Sequence, residues 1–215
     1  MLRYPVKVAR PREHDEHTAG ALLDAAEQTI AEEGVDSLSL RDVARKAGTT
    51  TRAVYTLFGS KDGLLGALGV RAFDLLQREI EKVPATDQPG NDLVDVAIVF
   101  RRFALGHPAL FSVAFHRADP AVWPRFRAAA LDALAVLFQR FERLQDADLL
   151  GGRSLPEAAM QFNALCEGIA WTEIRGNPLT PDPERFWRSA FHALITGFAA
   201  PLSAPEGVPT SAAQR

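Results

Sequence analysis

Residues 48–61, GTTTRAVYTLFGSK, bring hydroxyl groups and positive charge close together. Three threonines precede Arg52, a phenolic hydroxyl follows at Tyr55, and Lys61 ends the segment. The segment contains no acidic residue, histidine or cysteine, the usual general acids, bases and nucleophiles of enzymes. Guanidinium, ammonium and hydroxyl groups instead bind phosphates and the edges of bases. The segment therefore predicts recognition of a polyanion rather than catalysis.

The rest of the chain adds no signature of an enzyme. Its single cysteine, Cys166, has no histidine close in sequence, and a buried small hydrophobic residue is its simpler role. His116 and Asp119 lie three residues apart, but no further histidine or cysteine nearby completes a zinc site. No P-loop, G-x-S-x-G or G-x-G-x-x-G pattern occurs. We therefore expect no catalytic residue, no metal and no cofactor.

Composition is that of a globular domain in a reducing compartment. Of the 215 residues, 47% are hydrophobic and 24% are charged. No apolar run approaches the roughly 18 residues of a membrane span, and the first ten residues lack the apolar core of a signal peptide. One cysteine permits no intramolecular disulfide. We expect a cytoplasmic protein that does not enter a membrane.

Positive charge is concentrated in two places, although the net charge is −3. Residues 3–12 carry four basic residues and no acid, residues 13–36 carry eight acids and no lysine or arginine, and residues 41–61 carry five basic residues against Asp42 alone. A charge run is often only a solvated surface, but the second basic stretch coincides with the segment described above.

The elements that must position these groups are helices. Apolar residues recur at spacings of three and four, and no alternating strand pattern is evident. The fold predicted is all-α, with about nine helices. In the N-terminal part, Thr18, Ser39, Thr50 and Ser60 are expected as N-caps, and Gly34, Gly48 and Gly59 as terminators. The expected helices there are 18–33, 40–47, 51–58 and 61–82.

The second and third of these helices, with the glycine-containing turn between them, predict a helix-turn-helix over residues 39–58. Packing of Val43, Ala44, Ala47, Val54 and Phe58 would leave one polar face of the third helix outside. Such a helix lies in the DNA major groove, where arginine pairs with guanine and threonine methyls meet thymine. The residues expected on this face are Thr50, Thr51, Arg52, Tyr55 and Thr56.

The stretch LLDAAEQTIAEEGVDSLSLRDVARKAGTTTRAVYTLFGSKDGLLGAL resembles the DNA-binding region of TetR-type transcriptional regulators. The resemblance covers about residues 18–68. It rests on the alanine pair of the first helix, EEG at its end, SLRDVA opening the second helix, AG at the turn, VY in the third and FGSKDGL before the fourth. Arg52 stands where the family commonly has a small residue, and Leu57 where a histidine or another polar residue is frequent.

The resemblance implies roles for individual residues. Ser39 and Arg41 would meet phosphate at the start of the second helix, Thr49–Arg52 would open the recognition helix, and Tyr55 and Lys61 would contact phosphate. Residues 1–17 would form a flexible arm that either contacts DNA or is a disordered terminus. Residues 18–68 would form the DNA-binding domain, residues 69–200 a helical domain for effector binding and dimerisation, and residues 201–215 a disordered tail.

The C-terminal helices are expected at about 92–106, 109–118, 121–147, 155–175 and 183–199. In the resembled family the last two long helices usually pair with their copies, and here both are strongly apolar. The residues predicted for a dimer interface are Ala158, Phe162, Ile169, Trp187, Phe191, Leu194 and Phe198.

An effector pocket would draw on the aromatic residues of this region, although aromatic residues at helical spacing are more often core. Glu167 stands out within the apolar sequence FNALCEGIAW, where it would either orient a ligand or lie at a helix edge or interface. The ligand candidates are Phe103, Phe111, Phe115, His116, Trp123, Phe162, Asn163, Cys166, Glu167 and Trp171.

Together these patterns predict a DNA-binding transcriptional regulator, a dimeric repressor that a small, largely apolar ligand releases from its operator. An activator or co-repressor-dependent regulator on the same scaffold remains an alternative. A helical ligand-binding protein that does not act at DNA is a second alternative. The expected partners are double-stranded DNA of twofold symmetry, an effector and a second copy of the chain.

Overall fold

Nine α-helices and one π-helical turn make up most of the computed structural model, which describes residues 12–117, 124–176 and 180–201. Within these ranges there is no β-strand. The π-helical turn, Val113–Arg117, continues the sixth helix. The helices are α1 (Arg12–Glu33), α2 (Leu40–Lys46), α3 (Thr51–Phe58), α4 (Lys61–Glu81), α5 (Pro89–Gly106), α6 (Pro108–Ser112), α7 (Pro124–Asp146), α8 (Leu155–Ile174) and α9 (Pro183–Ala199).

Hydroxyl side chains cap the N-termini of α2, α3 and α4 by accepting hydrogen bonds from backbone amides of the first turn. Ser39 accepts from the amide of Asp42 at 3.4 Å, Thr50 from Ala53 at 3.2 Å and Ser60 from Gly63 at 3.0 Å. These caps satisfy backbone donors that have no acceptor within the helix. The expected starts of α2, α3 and α4 are therefore confirmed.

The expected start of α1 at Thr18 was wrong, because α1 begins at Arg12 and Thr18 lies inside it. The acidic residues Asp15 and Glu16 then fall near the helix N-terminus, where the helix dipole favours negative charge. The predicted arm therefore contributes residues 12–17 to α1. Residues 1–11 of the arm and residues 202–215 of the predicted tail lie outside the described residues.

The described residues belong to two units, and the first comprises residues 12–82, 99–117 and 124–135. In this unit α1 contacts α2, α3, α4 and α6. Leu22, Val43, Val54 and Leu64 come from four different helices, and each is 0% exposed. Burial of such side chains stabilises the unit by roughly 1.5–3 kcal/mol for each residue. The core therefore fixes α2 and α3 through their apolar faces and leaves their polar faces free.

The second unit comprises residues 83–98, 136–176 and 180–201. Its core is aromatic: the ring centroids of Phe162 and Phe191 lie 4.8 Å apart, those of Trp187 and Phe191 5.5 Å, and those of Phe141 and Phe162 5.6 Å. Edge-to-face and offset pairs of this kind add to the burial of apolar area. Helices α8 and α9 pack together through these residues.

One buried carboxylate organises the start of the second unit. Asp92 accepts hydrogen bonds from the amide of Thr86 at 2.8 Å, the hydroxyl of Thr86 at 2.6 Å and Nη1 of Arg143 at 2.5 Å. Burial alone would raise the pKa of Asp92, but the hydrogen bonds from Thr86 and Arg143 outweigh it and lower that pKa below its usual value. Asp92 therefore stays ionised and joins the segment before α5 to α7.

No single helix within the described ranges is long and apolar enough to cross a membrane. Pro89–Gly106 and Pro108–Phe115 meet the length and composition test only when taken together, across a bend of 104°.

Candidate nucleic-acid interface

The turn between α2 and α3 is a short glycine-centred link. Gly48 has a φ of +66°, in the left-handed region that glycine adopts without a steric cost. The amide of Thr49 donates to the carbonyl of Ala44 at 2.9 Å, and the amide of Gly48 donates to the carbonyl of Arg45 at 3.1 Å. This pair of bonds is the Schellman arrangement that ends a helix. It fixes the direction in which α3 leaves α2.

Helix α3 has one buried face and one open face. Val54 is 0% exposed and anchors the helix, whereas Tyr55 is 55% exposed, and Arg52 and Thr56 are also exposed. Thr50 is exposed at the helix start, and Thr51 is half-buried behind it. In the first helical turn the amide of Ala53 donates to the Thr50 hydroxyl, and the start of such a helix favours a phosphate through the helix dipole. The face predicted to meet DNA is therefore open along its length.

Two arginines on this surface carry charge that the described residues do not neutralise. Arg41 and Arg52 are both exposed, and neither side chain forms a hydrogen bond or ion pair with the residues that the structure describes. By contrast, Nη2 of Arg45 lies 2.7 Å from Asp42 Oδ1, and Nζ of Lys46 lies 2.8 Å from Glu32 Oε2. The sequence alone did not separate these two classes of cation.

The ion pair between Lys46 and Glu32 also joins α2 to α1. The hydrogen bond from Lys46 and a second from Gln28 lower the pKa of the Glu32 carboxyl. Because Lys46 is held in this way, its charge supports the position of α2. Arg41 and Arg52 are the better placed cations for a ligand from outside.

The remaining predicted contacts lie around this face. Ser39 is half-buried and caps α2, and Thr49 is half-buried in the turn. Lys61 is half-buried at the start of α4 and donates to the carbonyl of Asp36 at 3.3 Å. The structure therefore places all nine predicted DNA-contacting residues on α2, α3, the turn between them and the start of α4. Their contact with DNA stays a prediction.

Sequence reasoning missed the residue that joins the recognition helix to α4. A β-carbon at Gly63 would stand 1.8 Å from the carbonyl oxygen of Phe58, the last residue of α3. Only a residue without a side chain permits this close approach. The signal was the glycine inside the first turn of α4, where a better helix former would otherwise be expected.

The predicted ligand residues divide between the two units. In the first unit Phe103 is 5% exposed, Phe111 is 0% exposed, and Phe115 stacks on Phe111 with ring centroids 5.0 Å apart. These residues form an aromatic core there. His116 lies in the π-helical turn, but its side chain falls outside the described residues, as does the whole of Trp123.

In the second unit Phe162 and Cys166 are buried, and burial together with the nearby Glu167 carboxylate raises the pKa of the Cys166 thiol. Asn163 donates to Glu167 Oε1 at 2.5 Å, and both are half-buried. The guanidinium of Arg175 lies 4.8 Å from the ring centre of Trp171. These contacts account for the five residues within their own unit, and a ligand at them stays a prediction.

The predicted dimer residues are mostly turned inward. Ala158, Trp187 and Phe191 are each 0% exposed, and Phe162 and Phe198 are 2% and 1% exposed. These five side chains are covered by their own chain. Ile169 and Leu194 are half-buried and retain surface for a partner.

Comparison with known proteins places this architecture in context. The family model described as bacterial regulatory proteins, tetR family, matches residues 22–68, and the one described as tetracyclin repressor-like, C-terminal domain, matches residues 93–194. HTH-type transcriptional regulator Rv1816 of Mycobacterium tuberculosis is 26% identical over 112 residues, which cover 51% of this chain and 48% of that protein. HTH-type nicotine-responsive transcriptional repressor HdnoR of Paenarthrobacter nicotinovorans is 36% identical over 76 residues, covering 35% of this chain and 38% of that protein.

The alignment with Rv1816 thus spans about half the length of that relative. Among solved structures, a protein from Rhodococcus sp. RHA1 has a TM-score of 0.75 at 24% identity, over 92% of this chain and 100% of that chain. The regulator FadR from Bacillus subtilis, solved with stearoyl-CoA, has a TM-score of 0.70 at 17% identity, over 83% and 98% of the two chains. At these sequence identities, the two structural similarities show only that the fold is shared.

Proposed function

Because this chain belongs to the TetR family of bacterial regulatory proteins, we propose that it is a cytoplasmic transcriptional repressor. As a homodimer it binds a DNA operator of twofold symmetry, and a small, largely apolar ligand releases it. In this proposal the cations and hydroxyl groups of α2 and α3 bind DNA and have no catalytic role.

The observation that supports the proposal is that two exposed arginines of the anchored helix-turn-helix form no hydrogen bond or ion pair with the described residues. Arg52 lies in the first turn of α3, at the end of the recognition helix that reaches base edges in such motifs. A guanidinium there pairs bidentately with guanine. Arg41 lies near the start of α2 and contacts a backbone phosphate of the DNA. Phosphate contacts set the register, and the base contact sets the sequence preference.

A dimer follows from the size of the site that must be read. One helix the length of α3 reads only a few base pairs, whereas a twofold dimer reads two half-sites about 34–36 Å apart. The surface proposed for dimerisation is the outer face of α8 and α9, where Met160 is 66% exposed and Phe186 is 36% exposed.

Two glycines on this outer face support the same assignment. Gly168 of α8 and Gly197 of α9 are exposed, and a β-carbon at either position would meet none of the described neighbouring atoms within 4 Å. Glycine in a helix costs about 1 kcal/mol relative to alanine, and nothing within the described part of the protomer requires it here. Close approach of a partner helix would supply the reason.

Ligand control is proposed by analogy with the relatives. HdnoR is named as a nicotine-responsive repressor, and the FadR structure contains stearoyl-CoA. A ligand releases DNA only to the extent that it binds the DNA-incompetent state more tightly.

Binding to DNA tests the proposal directly. Purified protein is incubated with duplexes selected from a randomised library, and affinity is measured by fluorescence anisotropy across a salt series. We expect selected duplexes with a palindromic consensus and a log–log salt slope of several units, as phosphate neutralisation requires. Absence of any selected sequence and of binding at low salt would refute the regulator function and leave a helical ligand-binding protein.

A further inference from the structure

The first unit contains an open groove of about 970 Å³, and none of the predicted ligand residues whose side chains the structure describes lines it. This volume lies within the range of small-molecule sites. One wall is the face of α4 from Gly63 to Arg78, which extends about 22 Å at the helical rise. The other walls come from Ala19, Gly20 and Leu23 of α1, the last two residues of α3, and Arg125 and Phe126 of α7.

The space exists because small residues follow one another along α4. Gly63, Gly66 and Ala67 lie at helical spacings of three and four on the groove wall. Phe126 forms part of the opposite wall and is itself only 2% exposed. A β-carbon at Gly69 would stand 2.4 Å from the Phe126 ring, so Gly69 lets α7 pack against α4. The groove is therefore bounded by packed helices rather than by loops.

The two ends of the groove differ in chemistry. At the N-terminal end of α4 the lining is apolar and includes Leu23, Leu57, Phe58 and Val70. Further along α4 it includes Arg71, Asp74 and Arg78, with Arg125 from α7. Three guanidinium groups thus accompany a single lining carboxylate. A fully polar ligand would lose its hydration at the apolar end, whereas a carboxylate at the other end can accept charge-assisted hydrogen bonds from these guanidinium groups.

Arg71 is the cation best placed to respond to an anion. Its Nη1 is buried and lies 2.6 Å from Asp24 Oδ1 and 3.8 Å from Glu27 Oε2, and within the described part of the chain it makes no well-aligned hydrogen bond. Glu27 in turn lies 3.1 Å from Nδ1 of His107. An anion in the groove would compete with these carboxylates of α1 for Arg71, and so loosen α1 from α4.

We propose that this groove binds an elongated amphiphilic anion, an aliphatic chain with a terminal carboxylate. The chain lies along Gly63–Val70, against Leu57 and Phe58, and the carboxylate meets Arg71, Arg78 and Arg125. Because Leu57 and Phe58 end the recognition helix and Gly63 joins that helix to α4, an occupied groove favours a different position of α3 and the start of α4 together, and DNA affinity falls. This inference rests on the proposed function for its regulatory consequence, but the binding site itself does not.

Calorimetric titration with octanoate, dodecanoate and hexadecanoate, each below its micelle concentration, tests the site. Dodecanol and dodecylamine serve as uncharged and cationic probes with the same chain. We expect saturable binding of at least one carboxylate, at least tenfold tighter than dodecanol, as charge-assisted hydrogen bonds predict. The amine should not bind. Equal binding of dodecanoate and dodecanol, or no carboxylate binding, would overturn the proposal.

Variants locate the site. Ala67→Phe should fill the apolar end and remove binding, whereas Ala128→Phe, on an exposed position of α7 outside the groove, should not. Arg78→Gln should weaken carboxylate binding about tenfold, and Arg102→Gln, an exposed arginine elsewhere in the unit, should leave it unchanged. Undiminished binding to Ala67→Phe would place the ligand elsewhere and contradict the inference.

The regulatory consequence is read separately by anisotropy on selected DNA. The bound carboxylate should lower the DNA affinity of the wild type and not that of Ala67→Phe. Carboxylate binding with unchanged DNA affinity would overturn the coupling. Failure of the ligand-free protein to bind any DNA would instead count against the proposed function, and the calorimetric result would still decide the site.

Discussion

Gly63 of α4 lies directly against the carbonyl oxygen of Phe58, which ends α3. The contact is so close that a β-carbon at position 63 would stand 1.8 Å from that oxygen. Between them, Gly59 turns the chain with a φ of +78°, and Ser60 caps α4 through the amide of Gly63 at 3.0 Å. The recognition helix therefore cannot move relative to the start of α4 without breaking this junction.

Gly63→Ala should disturb the junction. The added methyl group meets backbone rather than a flexible side chain, so the free energy of unfolding should fall by about 1–3 kcal/mol, as for other overpacked sites. Affinity for selected DNA should fall as well. Urea unfolding and anisotropy measure the two effects.

Gly20→Ala is the matched control for this change. A β-carbon at Gly20 of α1 would meet nothing within 4 Å, so alanine should raise stability by about 0.5–1 kcal/mol. Equal effects of the two substitutions would show that the contact between Gly63 and Phe58 does not constrain the chain.

Asp92→Asn should destabilise the protein at neutral pH. The substitution removes the charge that Thr86 and Arg143 stabilise, at a cost of about 1.5–3 kcal/mol. Because hydrogen bonding lowers the folded-state pKa of Asp92 below that of the unfolded chain, its contribution is complete above the unfolded value of about 3.9. That contribution is lost as the pH falls through the folded value.

Urea unfolding of both proteins at several pH values tests this, and the difference between them should shrink as the solution becomes acidic. Asp95→Asn is the control. Its carboxylate is 53% exposed and pairs with Arg188 at 3.0 Å, so it should change stability by no more than about 1 kcal/mol. A difference for Asp92→Asn that persists unchanged into acid would argue against an ionic role.

Gly168→Arg should convert a dimer to a monomer. Arginine has a higher helix propensity than glycine, so the stability of the folded protomer should not fall. The long charged side chain of the arginine would block the close approach of a partner helix. Sedimentation equilibrium should show the protomer mass for this variant. Ala128→Arg, at an exposed position of α7, should leave the dimer mass unchanged. If Ala128→Arg also dissociated the dimer, the dimer face proposed on α8 and α9 would be wrong.

The helix-turn-helix could be predicted closely because its signals are local. Ser39, Thr50 and Ser60 cap the helices as expected, and Gly48 makes the turn. Each signal acts within a few residues of itself, and the resemblance to a known family added the role. The start of α1 was predicted wrongly because Thr18 is a typical N-cap residue, while the acidic residues before it also favour a helix.

What could not be predicted depends on partners distant in sequence. Lys46 is neutralised by Glu32, fourteen residues away, whereas Arg52 has no such partner among the described residues, and no local pattern separates the two. The sequence pattern of Trp187 and Phe191 is compatible with a dimer interface as well as with a core. Only the packing of these residues against α8 shows that they belong to the core. The groove was not predicted because its sequence signal, small residues at helical spacing on α4, is also the signal of close helix packing.

The sequence preference of this protein is proposed to rest on Arg52, which reads a base from an anchored recognition helix. The most direct measurement compares wild type, Arg52→Ala and Lys61→Ala on a selected operator and on single-base variants of it, across a salt series. Arg52→Ala should lose about 1–3 kcal/mol of discrimination at one position in each half-site and bind other sequences as before. Lys61→Ala should weaken all duplexes alike and reduce the salt slope. If Arg52→Ala weakened every sequence equally, Arg52 would be a phosphate contact and the claim would be contradicted.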